Sequence, residues 1–328
     1  MSKILIIHHN DRDGIVSAAI ITAALHREET ASNEMEIEYS EQNYTKPLSA
    51  VIAPEEAKKY TRVYLVDYSL STSKDISWAK DMIKYTCFIW IDHHATSINA
   101  ETGNTILKNV SGIRVDGISA AALCWMYTHK PISDLTVLKT HYKSHINKVD
   151  ALTFLSNRSV PRLIRLVHQY DIWDHSKVDM YPIYFNYGNQ HDLEWWIELL
   201  ENHTISYLDS VAVDSIDTGK AKYPEIVERN EQFCKDHGFE TTLRVDGKNY
   251  SVFAVNRGSG NSLLFGDIIN KYDIVSVFSY VGPDCCYRYS IYSREDGVDV
   301  EQIAKYFGGG GHKHAAGFKT EKCIYLSH

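Results

Sequence analysis

The chain has little that would crosslink it and nothing long enough to anchor it in a lipid bilayer. Only six of its 328 residues are cysteine (Cys87, Cys124, Cys234, Cys285, Cys286 and Cys323). None falls at C-x-x-C spacing, and the neighbours Cys285 and Cys286 are a pair that rarely bridges itself, so a disulfide scaffold or a zinc site is not expected. No apolar run approaches the ~20 residues that span a bilayer. The first such run, Ile4–Ile7, is cut off at once by histidine and aspartate, far short of a signal sequence. Basic excess is missing too, and a formal charge of −8 argues against a protein that holds long nucleic acid mainly through a basic surface. The expectation is a soluble, cytoplasmic protein of a reducing compartment, with no membrane partner. A small anionic substrate held through metal ions suits the charge, because part of the negative count sits on candidate metal ligands.

What the chain does have is a repeated way of ending strands. Cys87-Phe88-Ile89-Trp90-Ile91 is a nearly continuous apolar run, suited to a strand buried on both faces of a parallel sheet, and it stops at Asp92-His93-His94. Ile4–Ile7 runs into His8-His9-Asn10-Asp11-Arg12-Asp13-Gly14, and Val63–Val66 runs into Asp67. In open α/β sheets the ligand crevice lies outside the carboxyl ends of the strands, so these three ends would converge there. Carboxylates gathered in a partly dry crevice repel one another and need cations, a need that two divalent ions meet. Carboxylate and imidazole donors without thiolate suit Mn²⁺ or Mg²⁺ better than structural zinc.

The length favours two domains, and 44% hydrophobic residues suffice for their cores. Gly14–Ile21 has the pattern of a buried helix, which puts the His/Asp loop at a helix N-terminus, where free N–H groups favour anions. Arg12, between two aspartates, is placed either to face solvent or to help hold phosphate, and solvent is the expected reading. Met35–Tyr39 reads as a second strand, Glu55–Tyr60 as a polar helical piece, and Ser69-Leu70-Ser71-Thr72-Ser73 as a source of capping oxygens for a helix over residues 75–85. Repeated strand–helix units mark a parallel sheet. A helix rich in small residues opens at Gly117, with Ser119 near its start. Residues 129–160 carry no assignable pattern, and residues 191–238 read as a helical connector.

Beyond the connector, alternating Leu243, Val245, Tyr250, Val252, Phe253 and Val255 around Asp246-Gly247 predict a hairpin. Strands at Ile274–Val281 and Cys285–Ser293 flank the turn Gly282-Pro283-Asp284. Asp299, with Gln302 three residues later, is placed to cap a helix over Val300–Phe307 that ends at Gly308–Gly311. Asn256–Asn261 is a polar, glycine-spaced loop for which an ordinary turn and a binding role are equally good readings.

These motifs carry a family resemblance. Asp92-His93-His94 resembles the signature of the DHH phosphoesterase superfamily, His9-Asn10-Asp11-Arg12-Asp13-Gly14 its first motif and Asp67 its second. Leu163–Asp174 resembles the fourth motif. Asp150, Asp171 and Asp174 are candidates for the remaining carboxylate, and Asp171 is preferred because within this segment it shortly precedes Trp173. Gly308-Gly309-Gly310-Gly311-His312 with Ala315-Ala316-Gly317-Phe318 is similar to the glycine-rich motif of the DHH-associated C-terminal domain.

The resemblance implies an α/β fold: an N-terminal parallel-sheet DHH domain (residues 1–190), the helical linker (191–238) and a smaller mixed α/β substrate-binding domain (239–328), with the catalytic cleft between the two domains. It implies two Mn²⁺ ions, Mg²⁺ being an alternative, one held by His9, Asp11 and Asp67 and the other by Asp13, Asp67, His93 and Asp171, so that Asp67 bridges. His8 leaves a second register open for the first ligand. His94 would stand beside the attacked phosphate as a donor, and Asp92 would orient a histidine ring. Gly309, Gly310, Gly311 and His312, with Arg257 and Arg288, would bind substrate. Relatives often carry arginine before the serine where this chain has Tyr292 before Ser293, a place that Arg288 or Arg294 would fill. A helix-start hydroxyl at Ser119 also matches the family, and a plain cap accounts for it equally well.

The function implied is hydrolysis of short oligonucleotides (nano-RNA and dinucleotides) to 5′-mononucleotides, in the manner of nano-RNases of the 3′–5′ oligoribonuclease type. The chain shows no counterpart of the extra nucleic-acid-binding domain of the long single-strand exonuclease branch, and no long duplex partner is expected. Rival readings are a phosphodiesterase or phosphatase for cyclic mono- or dinucleotides or phosphoadenosine phosphate, and a nucleotide-sensing protein that binds without turnover. A homodimer is left open.

Overall fold

The computed structural model describes residues 2–28, 34–44, 46–70, 72–95, 98, 106–129, 147–174 and 179–325. Ser71 and residues 130–146 of the stretch without a readable pattern lie outside the described residues. The chain separates into two compact units, residues 1–221 and 222–328.

The first unit is built on four parallel strands: β1 (Ser2–His9), β2 (Met35–Gln42), β3 (Arg62–Val66) and β4 (Cys87–Ile91), in the order β2-β1-β3-β4. Because side chains alternate across a strand, the apolar runs feed two cores at once. Ile4, Ile6, Tyr64, Val66, Ile89 and Ile91 pack on one face against α1 (Arg12–Glu28). Leu5, Ile7, Val63, Leu65, Phe88 and Trp90 pack on the other, toward α2 (Leu48–Val51) and α3 (Ser73–Met82). Of the expected capping oxygens, Thr72 caps α3 by accepting from the Asp75 N–H. The piece over Pro54–Lys59 is a 3₁₀ helix.

Helices α4 (Ala120–His129), α5 (Lys148–Leu155), α6 (Arg162–Asp171), α7 (Tyr181–Gly188), α8 (Leu193–Asn202) and α9 (Ile205–His237) follow. Residues 191–238, expected as a connector, are helical, but much of that helix is core: Trp196, Leu199, Leu200, Leu208, Ala212 and Ile216 are buried with α1 and α4. The mixed charges of α8 and α9 sit on the solvent face, and they masked the apolar stripe that packs inward.

The second unit is a six-stranded mixed sheet in the order β5-β6-β7-β8-β10-β9: β5 (Gly238–Val245), β6 (Lys248–Asn256), β7 (Ile274–Val281), β8 (Cys286–Tyr292), β9 (Gly310–His312) and β10 (Ala315–Thr320). The β5–β6 hairpin turns at Asp246 (φ 49°) and Gly247 (φ 76°), two left-handed residues in a row, as the turn that suits strand twist requires. Only the β6–β7 pairing is parallel, and a 3₁₀ stretch over Ser262–Asn270 fills that connection. Asp299 caps α10 (Val300–Tyr306) by accepting from the Glu301 and Gln302 N–H groups.

Candidate metal centre

Register decides what meets at the carboxyl edge of the first sheet. His8 lies opposite Val66, and Val66 opposite Ile91, so His9, Asp67 and Asp92 leave their strands at one level. The strand order changes direction between β1 and β3, the switch point where a crevice opens. Asp67 makes its exit with φ 53°, a left-handed conformation unusual for a residue other than glycine, and its carboxyl is buried. On the β1 side, a side chain at Gly14 would meet the His9 carbonyl oxygen at 2.2 Å, so only glycine lets α1 start this close to the strand end.

Three groups of possible ligand atoms result, each mutually within 4.8 Å: His9, Asp11 and Asp67; Asp13, His93 and Asp171; and Asp67, His93 and His94. Within them His9 Nδ1 stands 2.8 Å from Asp11 Oδ2 and 3.8 Å from Asp67 Oδ2. The His93 Nε2 is 3.4 Å from Asp67 Oδ1, 3.3 Å from Asp171 Oδ2 and 3.9 Å from Asp13 Oδ2. Asp67 therefore turns one oxygen to each side, Oδ2 toward His9 and Oδ1 toward His93. Its Oδ2, and Asp171 Oδ2, are buried without accepting a hydrogen bond.

Such an arrangement is electrostatically poor without cations. Burial first, and then the neighbouring carboxylates, raise Asp67 well above the usual carboxylate range. Asp13 is pushed up to about 8 by burial and by Asp171, and Asp171 to about 8 by burial and by Asp11. Asp11 goes the other way, because the burial penalty is outweighed by the His9 ring and the Gly14 N–H at 3.0 Å. The groups fit divalent cations on three counts: oxygens buried and unpartnered, a surplus of carboxylate, and a donor set of oxygen and imidazole nitrogen with no cysteine in any of the three groups. Two ligand atoms sharing an ion at ~2.1 Å in octahedral geometry stand about 3 Å apart. The His93 contacts to Asp67 and Asp171 are close to that separation. Protons compete for Asp13 and Asp171 below about pH 8, so cation affinity rises with pH up to that value.

Asp92 and His94 form a pair of their own. The His94 Nδ1 is 2.7 Å from Asp92 Oδ1, and although burial opposes its charge, the Asp92 carboxylate raises the ring to about 9. His93 is lowered by burial and by its neighbour His94, which keeps its Nε2 available as a donor atom for metal.

Behind Asp13 lies support that the sequence did not advertise. The N–H groups of Ala120 and Ala121, the first donors of α4, bind Asp13 Oδ2 and Oδ1 at 2.6 and 2.9 Å. Ser119 is a cap, its Oγ accepting from the Ala122 N–H at 3.4 Å, while its own N–H donates to His168 Nδ1 at 3.1 Å. His168 is buried and pushed down to about 4, first by burial and then by His93, so it is the neutral ring that accepts this bond. It precedes Asp171 by three residues on α6, which places both on one helix face. That spacing was the one available signal.

Other expectations change. Arg12 does not face solvent: it is half-buried, and its Nη1 donates to Asn189 Oδ1 at 3.2 Å and to the His191 carbonyl at 3.3 Å. Its guanidinium turns away from the aspartates that flank it in sequence, toward the loop after α7. Asp150 is exposed in the first turn of α5, and Asp174, next to the left-handed Trp173, is likewise exposed and absent from the three ligand groups. His8 is buried, with Nδ1 2.8 Å from the His9 carbonyl oxygen, and it joins none of them either.

In the second unit Gly308 is a left-handed turn residue (φ 77°), and Gly310 and Gly311 open the short strand β9. A side chain on Gly309 would meet the Gly317 carbonyl oxygen at 2.1 Å, and one on Gly311 (φ 147°) the Ala315 carbonyl oxygen at 2.5 Å. These glycines thus bring the chain close onto β10 of the same sheet. Gly310 pairs with Gly317, His312 with Ala315, and Arg288 with Lys319, which puts Gly310, His312 and Arg288 on one face, opposite to the core face of Tyr289 and Ile291. Arg257 is exposed after β6, its guanidinium 5.0 Å from the Phe233 ring centre. Tyr292 spends its hydroxyl on the Gly260 carbonyl at 2.8 Å, and Arg294 pairs with Asp296 at 2.9 Å.

Residues 3–113, which hold β1 to β4 and the Asp92-His93-His94 run, match the profile of the DHH family, N-terminal domain. That stretch is similar to the N-terminal domain of the DHH family. Similar solved structures include an uncharacterized protein from Helicobacter pylori G27 (14% identity, 99% of this chain and 95% of that one, TM-score 0.41). They also include an exopolyphosphatase-related protein from Bacteroides fragilis (13%, 98% and 88%, TM-score 0.47). A third is RecJ in complex with Mn²⁺ from Thermus thermophilus (12%, 96% and 49%, TM-score 0.46). No curated protein matches. Among the described residues no helix is long and apolar enough to cross a membrane. His9, Asp11, Asp13, Asp67, His93 and His94 of the cluster lie within the matched stretch, Asp171 lies beyond it, and the start of α4 holds Asp13 in place.

Proposed function

We propose that the protein is a metal-dependent phosphodiesterase that hydrolyses short oligonucleotides to 5′-mononucleotides. The observation that carries this reading is Asp67, buried, strained at its backbone and turning its two oxygens to His9 on one side and His93 on the other. His9, Asp11 and Asp67 would hold one divalent cation, and Asp13, Asp67, His93 and Asp171 a second, with manganese the first candidate and magnesium the other. Cations bound there would supply Lewis acidity, lowering the pKa of a shared water and stabilising charge on the phosphoryl oxygens.

The protein's own groups do the rest. His94, its ring favoured in the charged form by Asp92, would donate to a phosphoryl oxygen as negative charge builds there. Asp92 fixes that ring's orientation and tautomer. The N–H groups of Ala120 and Ala121 hold Asp13 in a single rotamer, so the cluster is set before substrate arrives. Gly309, Gly310, Gly311, His312, Arg257 and Arg288 are proposed to contribute to substrate binding.

The test is a substrate panel of di- to decanucleotides, cyclic mono- and dinucleotides and phosphoadenosine phosphate with Mn²⁺ or Mg²⁺, resolved by product chromatography. Rates greatest on dinucleotides and other very short chains, with 5′-mononucleotide products, are expected. Turnover confined to cyclic nucleotides or phosphoadenosine phosphate would replace the substrate. Nucleotide binding without turnover of any of them would leave a sensor.

A further inference from the structure

Tyr44 is held as a working residue is held, yet it lies outside the metal cluster and outside every motif in the sequence. Its ring stands 5.3 Å from that of His9, tilted by 54°. On another side it stacks on Tyr68, with centroids 4.3 Å apart and planes within 22°. Its hydroxyl oxygen accepts the backbone N–H of Ser69, two residues past Asp67, at 2.9 Å. The backbone at Tyr44 is left-handed, φ 60°, a conformation that a bulky side chain adopts only when its surroundings impose it. Despite these restraints Tyr44 is 39% exposed, whereas Tyr68 beneath it is 2% exposed.

Tyr68 has the environment of a space-filling tyrosine. Tyr44 combines a fixed position and a locked hydroxyl with more than a third of its surface exposed, next to a candidate metal ligand. Immobilising an aromatic ring in advance removes the ordering cost that a planar ligand would otherwise meet. Aromatic rings held beside a phosphate-binding centre stack nucleobases without regard to base identity, because every base has a π-face.

We infer that Tyr44 is the stacking platform for the nucleobase adjoining the attacked phosphate, a base subsite within the DHH domain itself. The inference rests on the proposed nucleotide chemistry and deepens it: a substrate bearing a base is favoured over inorganic phosphate chains, and all four bases are accepted.

Equilibrium binding in Mn²⁺ separates this from a packing role. The probes are adenosine 5′-monophosphate and ribose 5-phosphate, which differ only by the base, measured against wild type, Tyr44→Leu and Tyr44→Trp. Wild type should prefer the nucleotide. Tyr44→Leu should lose most of that preference, about 10-fold for one stacked base, with affinity for ribose 5-phosphate and for Mn²⁺ unchanged. Tyr44→Trp, which keeps an aromatic face, should retain the preference, and that retention guards against misfolding as the explanation for the leucine variant. Equal affinity of wild type for the two probes would overturn the inference. So would parallel losses for both probes in Tyr44→Leu, or a weakened Mn²⁺ affinity in that variant, which would make Tyr44 a support for His9. Because the readout is binding, a wild type that hydrolyses no oligonucleotide would remove the proposed function while this comparison still decides the role of the ring.

Discussion

Glycine and histidine meet at a sheet edge in both units of the molecule, and they serve different ends. In the first unit Gly14 brings a helix start onto a strand end, and what that closeness gathers is charge: four aspartates and three histidines whose carboxyls and rings mostly lie in protein. In the second, Gly309 and Gly311 bring β9 onto β10, and what results is a bare backbone surface edged by His312 and Arg288, with no cluster of mutually perturbed acids among the described residues. A crevice that holds carboxylates far from their usual pKa is under stress that cations relieve, so its chemistry can be argued from the residues alone. A surface of glycine with half-buried Arg288 and exposed His312 carries no such stress, and what it binds has to be found by experiment.

The largest effect that separates the two regions is expected at Asp67. Asp67→Asn keeps the shape but removes the charge facing both His9 and His93, so turnover should drop on the order of 10³-fold and Mn²⁺ stoichiometry should fall in a titration. Retained turnover with two ions bound would break the idea of a shared carboxylate. Next in size is His94. His94→Gln should lower turnover on the order of 10²-fold while Mn²⁺ binding persists. For wild type the sign follows from the raised pKa: the ring is charged below about 9 and loses its proton above it, so the rate should fall on the alkaline side. Bound cations would move that limb lower. A flat rate across the limb would show that His94 gives no proton or hydrogen bond to the reaction. The smallest effect belongs to the second unit. Gly311→Ala places a methyl 2.5 Å from the Ala315 carbonyl oxygen on a backbone of φ 147°, and should cost about 1–3 kcal/mol of stability, read as a lower calorimetric Tm, with Mn²⁺ affinity untouched. A change in Mn²⁺ affinity there would join the two regions more closely than the comparison allows.

Particular residues show why some features were legible and others were not. Cys87–Ile91 could be read as a buried strand because both faces of a parallel strand are apolar, and Asp67, Asp92 and His93 could be placed because a strand's end has a known side on which ligands collect. Asp171 was less visible than these. It closes a helix, α6, whose place beside His93 depends on packing among Leu163, Ile164, Val167 and the small residues of α4. Arg12 misled for a related reason: its sequence neighbours are acids, but its guanidinium meets Asn189, 177 residues away. His168, Ala120 and Ala121 act through one helix start; apart from the three-residue spacing of His168 and Asp171, nothing in their spelling distinguishes them from ordinary core. Residues 191–238 looked like a tether because charged positions outnumber the few buried ones that anchor α8 and α9.

Local order was written in the chain itself: where strands begin and stop, which turns need left-handed residues, which ends carry acid and imidazole, and which donor chemistry they offer. Those properties depend on near neighbours and on the alternation of side chains along a strand. Only the fold decided which oxygen of Asp67 faces which histidine, that Asp13 is gripped by the start of α4, that His168 stands behind Ser119, and that Gly310 and Gly311 pair with β10. Each of these is a meeting of groups far apart in sequence, settled by how helices and strands pack against shared cores, and packing among distant residues leaves no periodic trace in the order of amino acids.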